Sequence, residues 1–149
     1  MGKRGEGWVV LQFLLIAAIV LVPRRSPEAF PNWLRYLGLP LMAAGAALGG
    51  AAALNLGSNL TPLPKPVENG QLVSSGAYSV VRHPIYLAVV LCMVGVSLLR
   101  ASVGGLALCG LLFAFFDRKA RREEAWLRER YPDYAEYQQQ VRRLLPWLY

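Results

Sequence analysis

Four apolar runs, separated by short charged segments, constrain the fold of this chain more than any other feature. They cover residues 8–22, 33–56, 84–99 and 101–116. A membrane-spanning helix needs about 20 residues, with a lower limit of about 17, so the second run is long enough and the last two are short. One helix over 85–116 would be about 48 Å long, too long for a single crossing. The runs predict an all-α integral membrane protein with four spanning helices, the last two forming a tight helical hairpin that turns at Arg100, Ala101 and Ser102.

The composition agrees with a membrane protein of one domain over residues 1–149. Hydrophobic residues make up 55% of the chain, charged residues 17%, and the mean hydropathy is +0.34. The net charge of +7 could suggest nucleic acid. The basic residues flank apolar runs, however, which is typical of contact with anionic lipid headgroups. We therefore expect membrane lipids as partners and no nucleic acid.

The first apolar run follows Lys3 and Arg4, as the apolar centre of a signal peptide would. Pro23, Arg24 and Arg25 follow it where a cleavage site would need small residues. This favours an uncleaved spanning helix.

Basic residues are distributed unevenly between the two sides that four helices would create. Most lie in the N-terminal segment, the loop 57–83 and the tail 117–149. Positively charged loops stay in the cytoplasm. We therefore expect a multi-pass integral membrane protein with both termini, the loop and the tail in the cytoplasm.

Several residues have a simple structural interpretation. Cys92 and Cys109 lie in apolar runs, as small buried hydrophobic residues do, and with a single histidine they predict no metal site. Gly45 and Gly49 have the spacing of closely packed helices. The proline-rich stretch 61–66 cannot be helical and should run extended along the membrane surface.

Residues 74–86, at the start of the third run, contain the only histidine, His83. The same segment contains Arg82, Tyr78 and Tyr86. The tail should continue the fourth helix over 117–130, break at 131–133 and form a second helix over 134–144. Pairs such as Lys119 and Glu123 at i,i+4 would also suit a plain amphipathic surface helix. If the hairpin folds back, His83, Tyr86, Glu123 and Glu124 converge on one membrane face. Carboxylates there could bind an ammonium or sulfonium group. Aromatic rings could stack on a purine, and arginines could bind a carboxylate.

The segments GAYSVVRHPIY, REEAWLRERYPDYAEY and VRRLLP resemble the isoprenylcysteine carboxyl methyltransferase and phospholipid methyltransferase group, over residues 72–146. The resemblance implies S-adenosylmethionine as the cofactor. It places the following residues at the cofactor, with Glu124 a second candidate beside Glu123: Gln71, Leu72, Val73, Tyr78, His83, Pro84, Ile85, Tyr86 and Glu123. It also implies a substrate-facing role for Lys119, where the family has an arginine, which offers a bidentate fork instead of a point charge.

The leading hypothesis is methyl transfer to a lipophilic acceptor, with Arg82, Lys119 and Glu124 as candidate catalytic residues. A carboxylate acceptor, such as that of an isoprenylcysteine or another hydrophobic acid, needs a cation to position it, which Arg82 or Lys119 could supply. A lipid amine must lose its proton, which Glu124 could accept. The alternatives are a sterol-type membrane reductase, for which the chain is small, and a non-catalytic membrane protein.

Overall fold

The regular secondary structure is helical in the residues that the structure, a computed structural model, describes, namely 5–22, 30–63 and 70–146. The helices are α1 (Glu6–Leu21), α2 (Asn32–Tyr36), α3 (Gly38–Leu56), α4 (Pro84–Leu99), α5 (Val103–Arg130) and α6 (Tyr134–Gln140). Two short 3-10 turns cover Gly57–Asn59 and Gly76–Ser79. The predicted all-α class is confirmed.

The turn between α4 and α5 lies at residues 100–102, where it was predicted. Ala101 adopts a left-handed conformation with φ of 50°. The Ser102 hydroxyl accepts a hydrogen bond from the Gly105 amide at 3.1 Å, which caps the start of α5. Arg100 donates to the carbonyls of Val20 and Val22 at the end of α1. The charged residue of the turn therefore satisfies carbonyls that a helix end leaves unpaired.

The second apolar run forms two consecutive helices, α2 and α3, within one helical stretch, Asn32–Asn59. The first ends at Tyr36 and the second begins at Gly38. Pro40 has no amide hydrogen to donate to the Tyr36 carbonyl, and its ring would clash with that carbonyl. The hydrogen-bond ladder is therefore irregular at Leu37, whose backbone stays helical with φ of −65° and ψ of −17°.

Glycines let α3 and α4 approach closely. A Cβ added to Gly45 would lie 2.8 Å from the Ala88 carbonyl oxygen, and one added to Gly38 would lie 2.6 Å from that of Gly95. A Cβ at Gly49 would lie 3.2 Å from the Ala88 Cβ. The predicted role of Gly45 and Gly49 in close helix packing is confirmed.

Helices α1, α4 and α5 share an apolar core. Its buried members are Ile19, Val90, Cys109, Leu112, Phe115 and Phe116. Cys109 is buried as predicted, Cys92 is only partly buried, and both thiols are free.

Many large apolar side chains face outward from the helices. Examples are Val10, Phe13, Leu14, Leu21, Trp33, Leu39, Leu54 and Leu111. One helical stretch, Asn32–Asn59, is long and apolar enough to cross a membrane, and α1 and α4 are shorter apolar helices. The prediction of four crossings stays a prediction.

The tail follows the predicted course up to its end. Helix α5 continues without a break to Arg130, and residues 131–133 separate it from α6. Helix α6 ends at Gln140, earlier than the predicted residue 144. The cause is a backbone pairing, in which the amides of Arg82 and His83 donate to the carbonyls of Arg142 and Arg143 at 2.8 and 3.1 Å. Residues 64–69, which hold half of the proline-rich stretch 61–66, lie outside the described residues.

Candidate functional site

The loop before α4 is fixed to the end of α3 by two asparagines. Asn55 accepts a hydrogen bond from the Ala77 amide at 2.9 Å, and Asn59 donates to the Gln71 carbonyl at 3.0 Å. Gly76 has φ of 62°, and a Cβ there would lie 2.3 Å from the Asn55 amide oxygen. The loop therefore has a defined position over the helix ends.

A cavity of about 350 Å³ lies beneath this loop, between the start of α4 and the polar half of α5. Its volume is in the range of small-molecule sites. Most residues predicted from the sequence line it: Gln71, Leu72, Val73, Tyr78, Arg82, His83, Ile85, Tyr86, Lys119 and Glu123. Pro84 and Glu124 are not among the lining residues; Pro84 is the first residue of α4. The structure thus brings the two predicted segments together at one cavity.

Tyr86 is the centre of an aromatic stack in the cavity wall. Its ring lies between those of His83 and Phe116, at centroid distances of 5.2 and 4.7 Å. Its hydroxyl donates to Oε2 of Glu123 at 2.6 Å, and Nδ1 of His83 lies 3.8 Å from the same oxygen. The stack therefore fixes a carboxylate at the cavity surface.

Glu124, one residue further, is the hub of a buried polar network. It accepts hydrogen bonds from Arg82, Arg143 and Gln138 at 2.9 to 3.1 Å, and Nε2 of His83 lies 3.2 Å away. Burial alone would raise the pKa of Glu124, but the hydrogen bonds from His83 and Arg143 lower it to about 2. This carboxylate is therefore ionised and fully engaged within the protein.

The guanidinium of Arg82 is equally occupied. It donates to Glu124 through Nε and a terminal nitrogen, at 2.9 and 2.8 Å. The other terminal nitrogen donates to the carbonyls of Gln138 and Val141. Arg82 thereby connects the loop to the end of the tail.

Lys119 is buried, with only 1% of its surface exposed, and it lines the cavity. Its Nζ donates to the Gln12 side chain at 2.6 Å and to the Pro62 carbonyl at 3.3 Å, and lies 5.0 Å from the centre of the Tyr86 ring. Burial lowers the pKa of Lys119 to about 8, although the negative charge of Glu123 acts to raise it. The surface pairing with Glu123 suggested by the sequence is thus wrong, because Lys119 points inward to neutral partners.

Three tyrosines of the tail line the cavity but were not predicted as site residues: Tyr131, Tyr134 and Tyr137. The Tyr131 hydroxyl donates to the Gly70 carbonyl at 2.7 Å, and the Tyr137 hydroxyl donates to the Tyr78 carbonyl at 2.6 Å. These two bonds tie the tail to the loop. Gln12 was also missed, although a single polar residue inside an apolar run was a possible signal.

Comparison with known proteins agrees with this arrangement. The family model described as phospholipid methyltransferase matches residues 33–134. Protein-S-isoprenylcysteine O-methyltransferase B of Arabidopsis thaliana is 28% identical over 137 residues, which cover 89% of this chain and 68% of that protein. A probable protein-S-isoprenylcysteine O-methyltransferase of Oryza sativa subsp. indica is 28% identical over 127 residues, covering 82% of this chain and 66% of the relative.

A further relative is the cobalt-zinc-cadmium resistance protein CzcN of Cupriavidus metallidurans. It is 33% identical over 82 residues, which cover 54% of this chain and 38% of that protein. The chain thus spans about two thirds of the plant relatives and well under half of CzcN.

Apolar helices that end in a cavity lined by aromatic and charged side chains define a helical enzyme of the membrane-associated class. The chain belongs to the phospholipid methyltransferase family, whose model covers more than half of its length. The predicted family and the prediction of a methyltransferase are confirmed. Membership implies a methyl donor of the S-adenosylmethionine type.

Proposed function

We propose that this protein transfers a methyl group from S-adenosylmethionine, bound in the cavity, to the carboxylate of a lipophilic acceptor such as an isoprenylcysteine. The names of the plant relatives support the acceptor class. The observation that carries the proposal is Lys119, a buried cation at the cavity that forms no salt bridge in the part of the chain that the structure describes. A buried charge requires an opposite charge or strong hydrogen bonds, and an acceptor carboxylate would supply the charge.

The cavity residues suit the chemistry of the methyl donor. Glu123 offers a fixed carboxylate for its α-ammonium, and the aromatic rings of Tyr78 and Tyr86 offer surfaces for a cation or a purine. When bound, S-adenosylmethionine supplies an electrophilic methyl group on its sulfonium. The protein's task is then to align this group with the acceptor and to exclude water.

Lys119 would hold the acceptor carboxylate, and Gln12 would hold Lys119. A carboxylate needs no base before it attacks, so a positioning cation is sufficient. A lipid amine would need a proton acceptor. Glu124 is unsuited to that task, since its pKa of about 2 makes it a weak base, its oxygens are occupied by four protein partners, and it does not line the cavity. The geometry therefore favours O-methylation over N-methylation.

For Arg82 and Glu124 we propose a positioning role in place of the catalytic one expected from the sequence. Their side chains bond to each other, to the tail and to His83. His83 in turn stacks on Tyr86, the partner of Glu123. The pair would act on the cavity through these neighbours.

We further propose the four-span topology with loop, tail and both termini in the cytoplasm. The support is the uneven distribution of basic residues and the outward-facing apolar side chains of α1, α3 and α5. Impermeant labelling of tags at each end in intact cells tests it. Labelling of either end from outside would contradict the topology.

The reaction itself is tested by incubating membranes that contain the protein with methyl-tritiated S-adenosylmethionine and then treating the lipid extract with base. A methyl ester releases volatile tritium, as we expect, whereas a methylated amine retains it. Membranes with Lys119→Ala serve as the matched control and should lose the volatile label. Base-stable label would refute carboxylate methylation. If the label does not exceed that of membranes without the protein, methyl transfer is refuted.

A further inference from the structure

The hydroxyl of Tyr134 is the only buried side-chain polar atom in the described ranges that lacks a hydrogen-bond partner. Tyr134 is 1% exposed and lines the cavity. A buried hydroxyl without a partner costs free energy comparable to a lost hydrogen bond, so its retention calls for an explanation.

Its two neighbours on the tail behave differently. Tyr131 and Tyr137 donate their hydroxyls to loop carbonyls, as described above. The ring of Tyr134 packs edge-on against that of Tyr137, with centroids 5.8 Å apart and an angle of 69° between the planes. Packing therefore fixes the orientation of the Tyr134 ring, while its hydroxyl has no hydrogen-bond partner among the described residues.

The charges around Tyr134 keep its proton in place. Burial raises the pKa of Tyr134, and the carboxylates of Glu124 and Glu123 raise it further against the charge of Arg82. The phenol thus remains a hydrogen-bond donor. Tyr134 lines the same cavity as Glu123, the proposed partner of the ligand's ammonium group.

We propose that Tyr134 is a ligand-binding residue whose hydroxyl donates a hydrogen bond to the carboxylate of the amino-acid part of S-adenosylmethionine. The inference rests on the proposed function. In an amino acid the carboxylate and the ammonium are attached to the same carbon, so a ligand held by Glu123 places its carboxylate near that residue. The guanidinium of Arg82 is bonded to Glu124 and to tail carbonyls, and Lys119 is assigned to the acceptor. Tyr134 is the buried donor that is left for this carboxylate.

The test compares Tyr134→Phe with Tyr137→Phe in the full-length protein in detergent. Without ligand, Tyr134→Phe should melt at the same temperature as wild type or higher, because it removes an unpaired polar atom. Tyr137→Phe should melt lower, because it removes a bond to the loop. By isothermal titration, Tyr134→Phe should bind S-adenosylhomocysteine roughly 10- to 150-fold more weakly than wild type.

A second ligand locates the hydrogen bond. 5′-Methylthioadenosine has the nucleoside but no amino-acid carboxylate, so wild type and Tyr134→Phe should bind it equally. An equal loss for both ligands would move the bond to the nucleoside and overturn the assignment. Unchanged affinity for S-adenosylhomocysteine in a stable Tyr134→Phe would overturn this inference alone. Wild-type protein that binds neither ligand would overturn the proposed function together with it.

Discussion

The Nζ atom of Lys119 lies 2.6 Å from Oε1 of Gln12, so the first helix holds a cation that is 107 positions away in the sequence. The polar site is thus built by both halves of the chain. The resemblance seen in the sequence covers only residues 72–146. Helix α1 is therefore part of the site as well as of the apolar core.

The protonation of Lys119 should control acceptor use. Because the pKa of Lys119 is about 8, kcat/KM for a prenylated cysteine acceptor should fall as pH rises through about 8. Lys119→Arg, whose guanidinium stays protonated, should remove this fall. Lys119→Ala should impair turnover at every pH and leave the affinity for S-adenosylhomocysteine within a few-fold. An unchanged pH profile in Lys119→Arg would exclude Lys119 as the titrating group.

The lowered pKa of Lys119 should also make stability depend on pH, but in the opposite direction to activity. Between about 8 and the ordinary 10.5, the unfolded chain binds more protons at this lysine than the folded protein does. The contribution of Lys119 to the free energy of unfolding should therefore rise with pH across this window. Denaturant titrations of wild type and Lys119→Gln at several pH values measure it, and identical pH slopes would contradict the burial of the charge.

Glu123→Gln should weaken S-adenosylhomocysteine binding. The substitution keeps the shape of the side chain but removes the charge that would face the ammonium group. A hydrogen bond to a charged group contributes roughly 1.5–3 kcal/mol, so affinity should fall about 10- to 150-fold. Glu129→Gln, on the exposed face of the same helix, is the matched control. Normal binding by a stable Glu123→Gln would show that Glu123 does not hold the ammonium group.

Glu124→Gln should destabilise the protein. Removing one partner of a buried ion pair costs about 3–5 kcal/mol. Because the pKa of Glu124 is about 2 in the folded protein and ordinarily 4.5, its contribution is complete above about 4.5 and is lost as pH falls towards about 2. Thermal melts in this acid range should therefore show a weaker pH dependence for the variant. A melting temperature equal to that of wild type at neutral pH would refute the structural role of the network.

Gly45→Ala should destabilise the protein and Gly50→Ala should not, although both replace a glycine of α3. At Gly45 the new Cβ would collide with the backbone of α4, so the helices would have to separate. At Gly50 nothing lies within 4 Å, and alanine favours a helix by up to about 1 kcal/mol. Melting in detergent should be lowered for Gly45→Ala and unchanged or raised for Gly50→Ala. Equal melting temperatures would contradict the close contact of α3 with α4.

Sequence patterns predicted the parts of the fold that depend on neighbouring residues. The turn at Arg100, the continuation of α5 and the convergence of His83 with Glu123 followed from hydropathy, charge and motif spacing. The irregular turn at Leu37 was missed, although Pro40 inside the apolar run was a signal for it. The inward orientation of Lys119 was missed because its charged neighbours on α5 have the pattern of an exposed helix. The contacts of Gln12 and Tyr134 depend on long-range packing, which no local pattern encodes.

The pairing of Arg82 and His83 with Arg142 and Arg143 has a consequence for the timing of biosynthesis. A ribosome produces every apolar helix before it reaches residues 134–146, so the helices can enter the bilayer while the cavity still lacks Tyr134, Tyr137 and the partners of Glu124. On the proposed four-span topology, membrane insertion would therefore precede the formation of a competent site. A released chain that ends at residue 130 should be integrated into the membrane and yet fail to retain S-adenosylhomocysteine.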